Sequence, residues 1–413
     1  MKILHINNFF CKHGGAENSM YREAVLLREN GHEVFFFATD RQPFLEKDYK
    51  YAGYFPKSVP YYSLSKIKAL KYIFKLFYNF EAEHKLDLFL KEIKPDIVHC
   101  HCIPYNLTPA ILRACYKNNI PVVMALRSAR IMCPSGTLRL KDEYYCKNEL
   151  CVSGNPLHCL FNKCESKSLA RSIIVTTEYL FRKIHKLYDK VSYFVCISEA
   201  ILELAYRSGI KREKLVLIKN CIDDSYFKIQ PEYANKGYFL FVGRLTRDKG
   251  VNYLLEAMKK LPDIELHIAG IGDEEKNLKK QAEKLNLSNV KFLGFKLGKE
   301  LEQEYRNCIA TILPCNWFEA FGLTIIESFA YGKPVIASDV GGIPEIIENG
   351  KNGITFEIGN IDKLANAIKK LYLNNDLAVE MGKNGNAKAK TMYNVQDHYN
   401  KLIEVYNSLV YAK

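Results

Sequence analysis

The hydrophobic positions of this chain form short apolar runs that alternate with amphipathic stretches of helix length. In the N-terminal half such runs predict buried strands at residues 2–6, 33–38, 96–100, 121–126 and 192–197. The pattern then restarts, with runs at residues 238–242, 264–269, 290–293, 309–313 and 334–337. Alternating strands and helices are typical of parallel sheets covered by helices. The pattern therefore predicts an α/β protein with two doubly wound domains.

The opening of each half supports this interpretation. A helix at about residues 16–30 follows the first strand and ends at Gly31, which makes a βαβ unit with the strand at 33–38. At 413 residues the chain is longer than one hydrophobic core usually supports. A polar connection at residues 219–223 lies between the halves. We predict one domain over 1–218 and a second over 219–394.

Composition limits the classes of protein that fit. The chain is 48% hydrophobic and 25% charged, as in soluble globular proteins, and no run of eighteen apolar residues predicts a membrane-spanning helix. The first residues resemble a strand and turn, not a signal peptide, so we expect a cytoplasmic protein. The net charge of +13 favours an anionic partner: a nucleotide, a membrane surface or a nucleic acid.

The most informative segment reads WFEAFGLTIIE at residues 317–327. It places Glu319 in a loop and Glu327 two turns into a helix that opens at Gly322. Residues eight apart can share a helix face, so both carboxylates could meet one polyhydroxyl ligand. The first amide groups of a helix, here at Gly322, Leu323 and Thr324, are an anion site. A phosphate flanked by two sugar rings fits this arrangement, which indicates a nucleotide sugar.

The flanks of this segment carry a family resemblance. The sequences IATILP at 309–314, AYGKPVIASDVGGIPEII at 330–347 and GGAE at 14–17 resemble the retaining glycosyltransferases of family 4. The likeness extends from GGAE to the C-terminus. It implies the GT-B fold, in which two Rossmann-like domains face each other across a cleft, with the final helix at 395–413 joined to the N-terminal domain.

The resemblance also implies roles for residues of the second domain. Arg244 and Lys249, in the loop of FVGRLTRDK, would clamp a diphosphate, and Glu319 would contact the donor sugar; these three form the predicted catalytic group. The predicted donor-binding residues are Gly14, Gly15, Gly272, Phe295, Phe321, Gly322, Leu323 and Glu327. GIGD at 270–273 alone is only a partial dinucleotide signal, because the third glycine is missing.

The chain contains no D-x-D motif, the metal-binding signature of the other large glycosyltransferase class. Fixed cations and helix amides would then stabilise the leaving nucleotide. We therefore expect a metal-independent transferase of the hexosyltransferase kind, without a cofactor for catalysis. It would move sugar from a UDP- or GDP-sugar to a glycan or lipid-linked acceptor, with retention, in the synthesis of a cell-surface polysaccharide.

The N-terminal domain provides candidates for the acceptor side. His99 and His101 alternate at a strand end, which puts them on one face. In relatives such histidines border the active site, and a purely structural role is equally compatible with the pattern. Arg127 stands where many relatives carry histidine. Arginine cannot act as a base at neutral pH but can bind phosphate or an anionic acceptor.

Arg127 also motivates a second hypothesis, a catalytically silent GT-B protein that binds a nucleotide sugar or a partner. A NAD-dependent oxidoreductase is disfavoured by the broken glycine motif. Donor turnover distinguishes the first two hypotheses.

Five cysteines, out of an odd total of thirteen, crowd one segment: Cys133, Cys146, Cys151, Cys159 and Cys164. Cys146, Cys151, Cys159 and Cys164 could hold a structural zinc ion, and reduced thiols are the alternative.

Residues 61–80 contain four lysines and no acid. At helical spacing Lys68, Lys71 and Lys75 lie opposite Ile67, Leu70, Phe74 and Phe77. One interpretation is a helix in an anionic membrane interface, with the protein peripheral on the inner face of the plasma membrane. The other is a helix packed on its own domain. No groove-reading basic motif predicts binding to nucleic acid.

Overall fold

The computed structural model describes residues 1–11, 15–59, 61, 66–140, 144–146, 149–152 and 154–411. The chain divides into two compact units. Unit 1 comprises Met1–Lys219 and His398–Lys413, and unit 2 comprises Asn220–Asp397. These boundaries fall next to those that the sequence predicts.

Unit 1 contains a six-stranded parallel sheet and a short hairpin. In chain order its strands are β1 (Lys2–Ile6), β2 (Glu33–Phe37), β3 (Ile97–Cys100), β4 (Val122–Leu126), β5 (Arg139–Leu140), β6 (Tyr144–Tyr145), β7 (Tyr193–Cys196) and β8 (Leu215–Leu217). The sheet has the order β2-β1-β3-β4-β7-β8, and β5 pairs with β6 in the antiparallel hairpin.

The helices of unit 1 cover this sheet and fill the connections between strands. They are α1 (Gly15–Glu29), α2 (Lys66–Phe77), α3 (Phe80–Ile93), α4 (Ala110–Lys117), α5 (Leu157–Phe161), α6 (Leu169–Ile184) and α7 (Glu199–Arg207). The C-terminal helix α16 (Val395–Val410) lies in unit 1 from His398 onward.

Unit 2 contains a second six-stranded parallel sheet. Its strands are β9 (Tyr238–Val242), β10 (Glu265–Ala269), β11 (Val290–Gly294), β12 (Cys308–Leu313), β13 (Val335–Ser338) and β14 (Gly353–Phe356). Its helices are α8 (Asp224–Phe227), α9 (Val251–Met258), α10 (Glu275–Lys284), α11 (Gly298–Asn307), α12 (Leu323–Ala330), α13 (Ile343–Ile346), α14 (Ile361–Leu373) and α15 (Asn375–Met392).

The central strands explain why the sequence shows unbroken apolar runs. Tyr238, Phe239, Leu240 and Phe241 of β9 are all buried, since helices cover both faces of a parallel sheet. Each such side chain contributes roughly 1.5–3 kcal/mol when fully buried. The predicted strands agree with the observed ones to within a residue or so at their ends. The predictions missed β8 and β14, which are short edge strands with partly exposed residues.

The lysine-rich stretch is not one helix up to residue 80. Helix α2 ends at Phe77, and α3 begins after Asn79, whose side chain accepts a hydrogen bond from the backbone N–H of Ala82 at 3.2 Å. This N-cap breaks the helix where the periodicity alone predicts continuity. Among the described residues, no helix combines the length and apolar character needed to cross a membrane.

Candidate active site

The sheet of unit 2 has a topological switch point between β9 and β12. The strand order is β11-β10-β9-β12-β13-β14, so the chain proceeds to one side of β9 and later returns to its other side. In open parallel sheets, ligands bind beyond the carboxyl ends of the strands at such a point. Lys249 follows β9 and Glu319 follows β12, so the two predicted residues leave adjacent strands at this position.

Lys249 and Glu319 form an ion pair, with Nζ 2.7 Å from Oε2 and side chains 20% and 18% exposed. Burial disfavours both charged forms. Even so, the carboxylate raises the pKa of Lys249 above its usual value, and the ammonium group lowers that of Glu319. The pair is therefore charged at neutral pH and still partly open to solvent. Both residues are predicted from the sequence, but their contact is not.

Backbone contacts fix the two loops that carry this pair. Gly250 has a φ of +68°, and a Cβ added there would lie 1.8 Å from the carbonyl oxygen of Pro314. The backbone N–H of Asn316 donates to the carbonyl oxygen of Asp248 at 3.0 Å. These contacts join the loop after β9 to the loop after β12, so the position of the ion pair follows from the main chain.

Helix α12 begins beside Glu319. Gly322 is its N-cap, with a φ of +103°, and Leu323 is its first residue. The backbone amide of Phe321 lies near the Glu319 carboxylate and helps to lower its pKa. The ring of Phe321 is buried and packs against Tyr393, with ring centres 5.8 Å apart. Phe321 therefore reaches this site through its amide, and its side chain belongs to the core.

Glu327 is the fifth residue of α12, about one turn into the helix and not two as the sequence analysis assumed. Glu319 precedes the helix, so the eight-residue spacing does not put the two carboxylates on one helical face. Glu327 Oε2 accepts a hydrogen bond from the hydroxyl of Tyr305 at 3.2 Å. Tyr305 is buried on α11, and the sequence carries no local signal for this contact across 22 positions.

The remaining donor-side candidates of unit 2 have different surroundings. Arg244 is exposed in the loop after β9. A Cβ at Gly272 would lie 2.3 Å from the carbonyl oxygen of Leu245, so this glycine allows two protein loops to approach each other. Phe295, directly after β11, is 62% exposed, and Ile271, after the neighbouring β10, is 50% exposed. They place apolar surface at the carboxyl ends of adjacent strands.

In unit 1 the corresponding switch point lies between β1 and β3, where β1 continues to β2 on one side and pairs with β3 on the other. Gly14 lies outside the described residues, and Gly15 is the first residue of α1. His5 of β1 and His99 of β3 are register partners. His99 and His101 do share one face, because their ring centres are 4.3 Å apart.

Arg127 is held by two neighbours. Its Nη2 lies 2.5 Å from Glu23 Oε1, and its Nε donates to His101 Nδ1 at 3.2 Å. The arginine and glutamate side chains are 7% and 6% exposed. Burial alone would raise the pKa of the Glu23 carboxyl, but Arg127 and the nearby His398 hold it well below its usual range. Glu23 lies 104 positions from Arg127, and no local sequence pattern indicates this contact.

The arginine determines which ring nitrogens carry protons. Arginine only donates, so His101 Nδ1 is an acceptor. Burial, with His99 and Arg127 nearby, lowers the pKa of His101 well below its usual value, so the ring is neutral and Nε2 is protonated. That nitrogen lies 2.8 Å from His5 Nδ1 and donates to it. His5 is also neutral, because burial lowers its pKa to about 4.

Helix α16 closes the same cluster. His99 Nδ1 lies 2.7 Å from the hydroxyl of Tyr406, and burial lowers the pKa of His99 to about 3. His398 Nδ1 donates to the carbonyl oxygen of Lys219 at 2.9 Å, and its Nε2 is 3.5 Å from Glu23 Oε1. His99 and His101, the two predicted acceptor-side histidines, are therefore neutral, almost fully buried rings in a packed polar cluster.

One nitrogen or oxygen from each of His5, Glu23, His99 and His101 lies within 4.8 Å of the others, which is close enough for metal ligation. Two contacts disfavour a cation there. The guanidinium of Arg127 occupies one oxygen of Glu23, and the nearest nitrogens of His5 and His101 are hydrogen-bonded to each other. We interpret the cluster as structural.

The five crowded cysteines meet in another part of unit 1. Cys133, Cys146, Cys151, Cys159 and Cys164 are buried and reduced, and they line one small cavity together with His158.

Comparisons with known proteins agree with this architecture. A model of the family "Glycosyl transferases group 1" matches residues 223–388, and a model of "Glycosyltransferase Family 4" matches residues 13–139. An uncharacterized glycosyltransferase of Methanocaldococcus jannaschii is 30% identical over 51% of this chain and 58% of its own length. A capsular polysaccharide biosynthesis glycosyltransferase of Staphylococcus aureus is 26% identical over 51% of this chain and 55% of its own length. The chain thus spans little more than half of these relatives.

Solved structures match over nearly the whole chain. A sucrose-phosphate synthase from Thermosynechococcus elongatus has a TM-score of 0.71 at 17% identity and covers both chains fully. HepE of Anabaena, solved with UDP and glucose, has a TM-score of 0.65 at 20% identity and covers 99% of this chain and 100% of its own. The two parallel-sheet units therefore constitute a GT-B fold. The chain belongs to the group 1, family 4 glycosyltransferases.

Proposed function

We propose that this protein transfers a sugar from a nucleotide-sugar donor to a glycan or lipid-linked acceptor, with retention of anomeric configuration, in the synthesis of a cell-surface polysaccharide. The observation that supports this most is the charged, partly exposed Lys249–Glu319 pair at the switch point of unit 2. The Staphylococcus aureus relative named for capsular polysaccharide biosynthesis suggests the acceptor class.

Each donor group has a candidate partner in unit 2. Arg244 and Lys249 would neutralise the diphosphate, and the first amides of α12 would bind its oxygens. Glu327, oriented by Tyr305, would accept from ribose hydroxyls, and the exposed ring of Phe295 would pack against the base. Glu319 would position the donor sugar. HepE was solved with the nucleotide UDP, so a UDP-sugar is the first donor to test and a GDP-sugar is the alternative.

In this mechanism the reaction needs no protein nucleophile. The bond between the sugar and the diphosphate breaks while the acceptor oxygen attacks on the same face, and the departing phosphate takes the acceptor proton. The protein supplies preorganised positive charge where negative charge develops, which is usually the largest catalytic contribution. Catalysis would therefore not depend on a metal ion.

A screen of UDP- and GDP-sugars by thermal shift, followed by product analysis, tests the proposal. We expect one nucleotide class to raise the melting temperature and to be turned over, with activity preserved in EDTA. Binding without turnover, even with lipid-linked acceptors, would favour the catalytically silent protein. A requirement for magnesium or manganese would contradict the metal-independent mechanism.

We also propose peripheral association with an anionic membrane through the surface of α2 and α6. Phe74 on α2 is 80% exposed, and Ile184 at the end of α6 is 73% exposed. The two helices pack together, with the rings of Phe77 and Phe181 5.8 Å apart. The structure does not describe the side chains of Lys68 and Lys71. Lys75 forms an ion pair with Glu81, with Nζ 2.7 Å from Oε2.

Cosedimentation with anionic liposomes tests this surface. Phe74→Ser should weaken salt-sensitive binding, whereas Leu373→Ser, an equally polar change at an exposed position of unit 2, should not. Because Glu81 already neutralises Lys75, Lys71→Gln should cost about 1 kcal/mol of binding and Lys75→Gln less. Absence of salt-sensitive binding in the wild type would refute the membrane proposal and would leave the transferase proposal unaffected.

A further inference from the structure

The loop after β4 carries two arginines whose surroundings differ. The side chain of Arg127 is 7% exposed, and its guanidinium lies against Glu23 and His101, so it is bound inside unit 1. Arg130 is half-buried in the short turn Ala129–Ile131. In open parallel sheets, ligands bind beyond the carboxyl ends of the strands. Arg130 therefore keeps contact with solvent at the edge of unit 1 where a ligand is expected.

Two contacts hold the guanidinium of Arg130 in place. Its Cζ lies over the ring of Tyr105, 3.6 Å from the ring centre. Tyr105 is in the loop after β3, the strand that pairs with β4. The Nη1 group of Arg130 donates to the carbonyl oxygen of Ser135 at 2.6 Å. A guanidinium that is stacked on a ring and anchored to a buried carbonyl has a fixed position before any ligand binds.

The backbone around Arg130 is adapted to this position. Tyr105 has a φ of +77°, a strained conformation for tyrosine, and such residues cluster at ligand-binding and active sites. Asn8, after β1, holds the same loop, since its Oδ1 accepts from the N–H of Leu107 at 3.1 Å. Gly136 has a φ of +72°, and a Cβ there would lie 2.4 Å from Cδ and 2.6 Å from Nη1 of Arg130. The glycine therefore leaves the space that the arginine occupies.

The charges next to Arg130 favour an added anion. Burial raises the pKa of the Glu178 carboxyl, and Arg182 and Arg130 act in the opposite direction. Glu178 Oε1 lies 2.8 Å from Arg182 Nε, so this carboxylate already has a cationic partner on its own helix. Two guanidinium groups thus share one carboxylate, and a bound oxyanion would balance the second.

We propose that Arg130 binds an oxyanion of the acceptor, so that the enzyme selects an acceptor carrying a phosphate or carboxylate over a neutral one. The inference rests on the proposed transferase function and adds the charge of the acceptor to it. Arginine presents five N–H groups in a rigid fork that matches the oxygens of phosphate and carboxylate, and the bond to Ser135 uses one of them. Arg130 would hold a group other than the reacting hydroxyl, so it acts on acceptor affinity.

Steady-state kinetics of the full-length enzyme with matched acceptors test this role. The acceptors share one sugar and end in a phosphate, a carboxylate or a neutral alkyl group. Arg130→Gln should raise the KM for an anionic acceptor about tenfold to a hundredfold, because a hydrogen bond to a charged group is lost. The KM for the donor and the kcat/KM for the neutral acceptor should not change. The larger change identifies the oxyanion as phosphate or carboxylate.

Two further variants sharpen the kinetic test. Arg130→Lys should recover only part of the affinity, since lysine keeps the charge and loses the fork. Arg113→Gln, which alters a side chain of α4 that is 63% exposed, is the control and should behave as the wild type. An unchanged KM for both anionic acceptors in Arg130→Gln, or an equal loss with the neutral acceptor, would overturn the proposal.

Chemical protection tests the site in the wild type, whether or not an acceptor is turned over. Phenylglyoxal modifies accessible guanidinium groups, and peptide mass spectrometry locates the modified residues. At constant ionic strength, inorganic phosphate should slow the modification of Arg130 and leave that of Arg113 unchanged. Absence of protection would overturn the proposal, as would protection by phosphatidylglycerol vesicles without protection by phosphate. Protection by phosphate in a protein that turns over no donor would support the oxyanion site and contradict the transferase function.

Discussion

The switch points of the two units use the same topology for different purposes. In unit 1, buried imidazoles, a carboxylate and a guanidinium fill the position between β1 and β3 and contact one another, although His5 Nε2, Glu23 Oε2 and His99 Nε2 are buried without a hydrogen-bond partner. In unit 2, the Lys249–Glu319 pair between β9 and β12 keeps about a fifth of each side chain in solvent. A polar cluster closed to water acts as part of the core, and a charged pair that retains exposure is available to a ligand.

The buried pair of unit 1 should give the largest stability effect. Glu23→Gln removes the counter-charge of Arg127, and an uncompensated buried charge costs about 3–5 kcal/mol. Hydrogen exchange by mass spectrometry, performed across a urea series, would report each unit separately. Glu29→Gln, an exposed change on the same helix, should stay within about 0.5 kcal/mol. A similarly small effect of Glu23→Gln would mean that the cluster is not closed.

The pair of unit 2 should matter for activity. Glu319→Ala should lower kcat by about 10²–10³-fold with a smaller change in donor affinity, because a sugar contact that tightens in the transition state acts on rate. Lys249→Ala and Glu327→Ala should weaken donor binding. Lys279→Ala, which breaks the exposed pair with Glu275 on α10, is the control. Wild-type kinetics in all three site variants would refute the site.

The effects of Lys249 and Glu319 should also be non-additive, since each holds the other. The double variant should lose much less than the product of the two single losses. Strict additivity in steady-state kinetics would indicate that the ion pair does not persist in the donor complex.

Acid should affect unit 1 before unit 2. The pKa of His5 is lowered from 6.5 to about 4 and that of His99 to about 3. Between these values and 6.5 the unfolded chain binds more protons, so the stability that the neutral rings provide is complete above pH 6.5 and is lost as the pH falls toward 4. We expect a decrease of roughly 1 kcal/mol per pH unit per imidazole in unit 1.

Unit 2 provides the contrast within this pH experiment. The pKa of Glu319 is lowered and that of Lys249 is raised, so the pair stays charged over the same range. Donor affinity should change little between pH 7 and pH 5. Urea unfolding followed by hydrogen exchange in each unit at pH 7.5, 6 and 5 tests this contrast. Parallel losses of stability in both units would contradict the prediction.

The smallest expected effect concerns the exposed ring of unit 2. Phe295→Ala should weaken donor binding by about 0.5–1.5 kcal/mol, if the ring packs against the base. Calorimetry with the responsive nucleotide alone measures this, since the base contact does not need the sugar. Leu373→Ala, which removes an exposed apolar side chain on α14, should leave affinity unchanged. An unchanged nucleotide affinity in Phe295→Ala would mean that the base does not bind against this ring.

The sequence by itself determined the class of fold. Unbroken apolar runs such as residues 238–242, which are too short for a typical helix and lie between glycines, predict strands covered on both faces, and their alternation with amphipathic stretches predicts parallel sheets. It also determined that Gly322 opens a helix beside Glu319, because glycine and the following apolar periodicity are local signals. The edge strands β8 and β14 were missed since their weaker burial leaves a weaker pattern.

Tertiary structure alone decided which side chains meet. Glu23 and Arg127 are 104 positions apart, and Lys249 and Glu319 are 70 apart. Their pairing depends on strand order, which no local pattern encodes. The same holds for Tyr305 and Glu327, and for the five cysteines that line one small cavity. Local sequence specifies the elements because their periodicity reflects burial, whereas contacts at the switch points arise only once the sheet places its loops side by side.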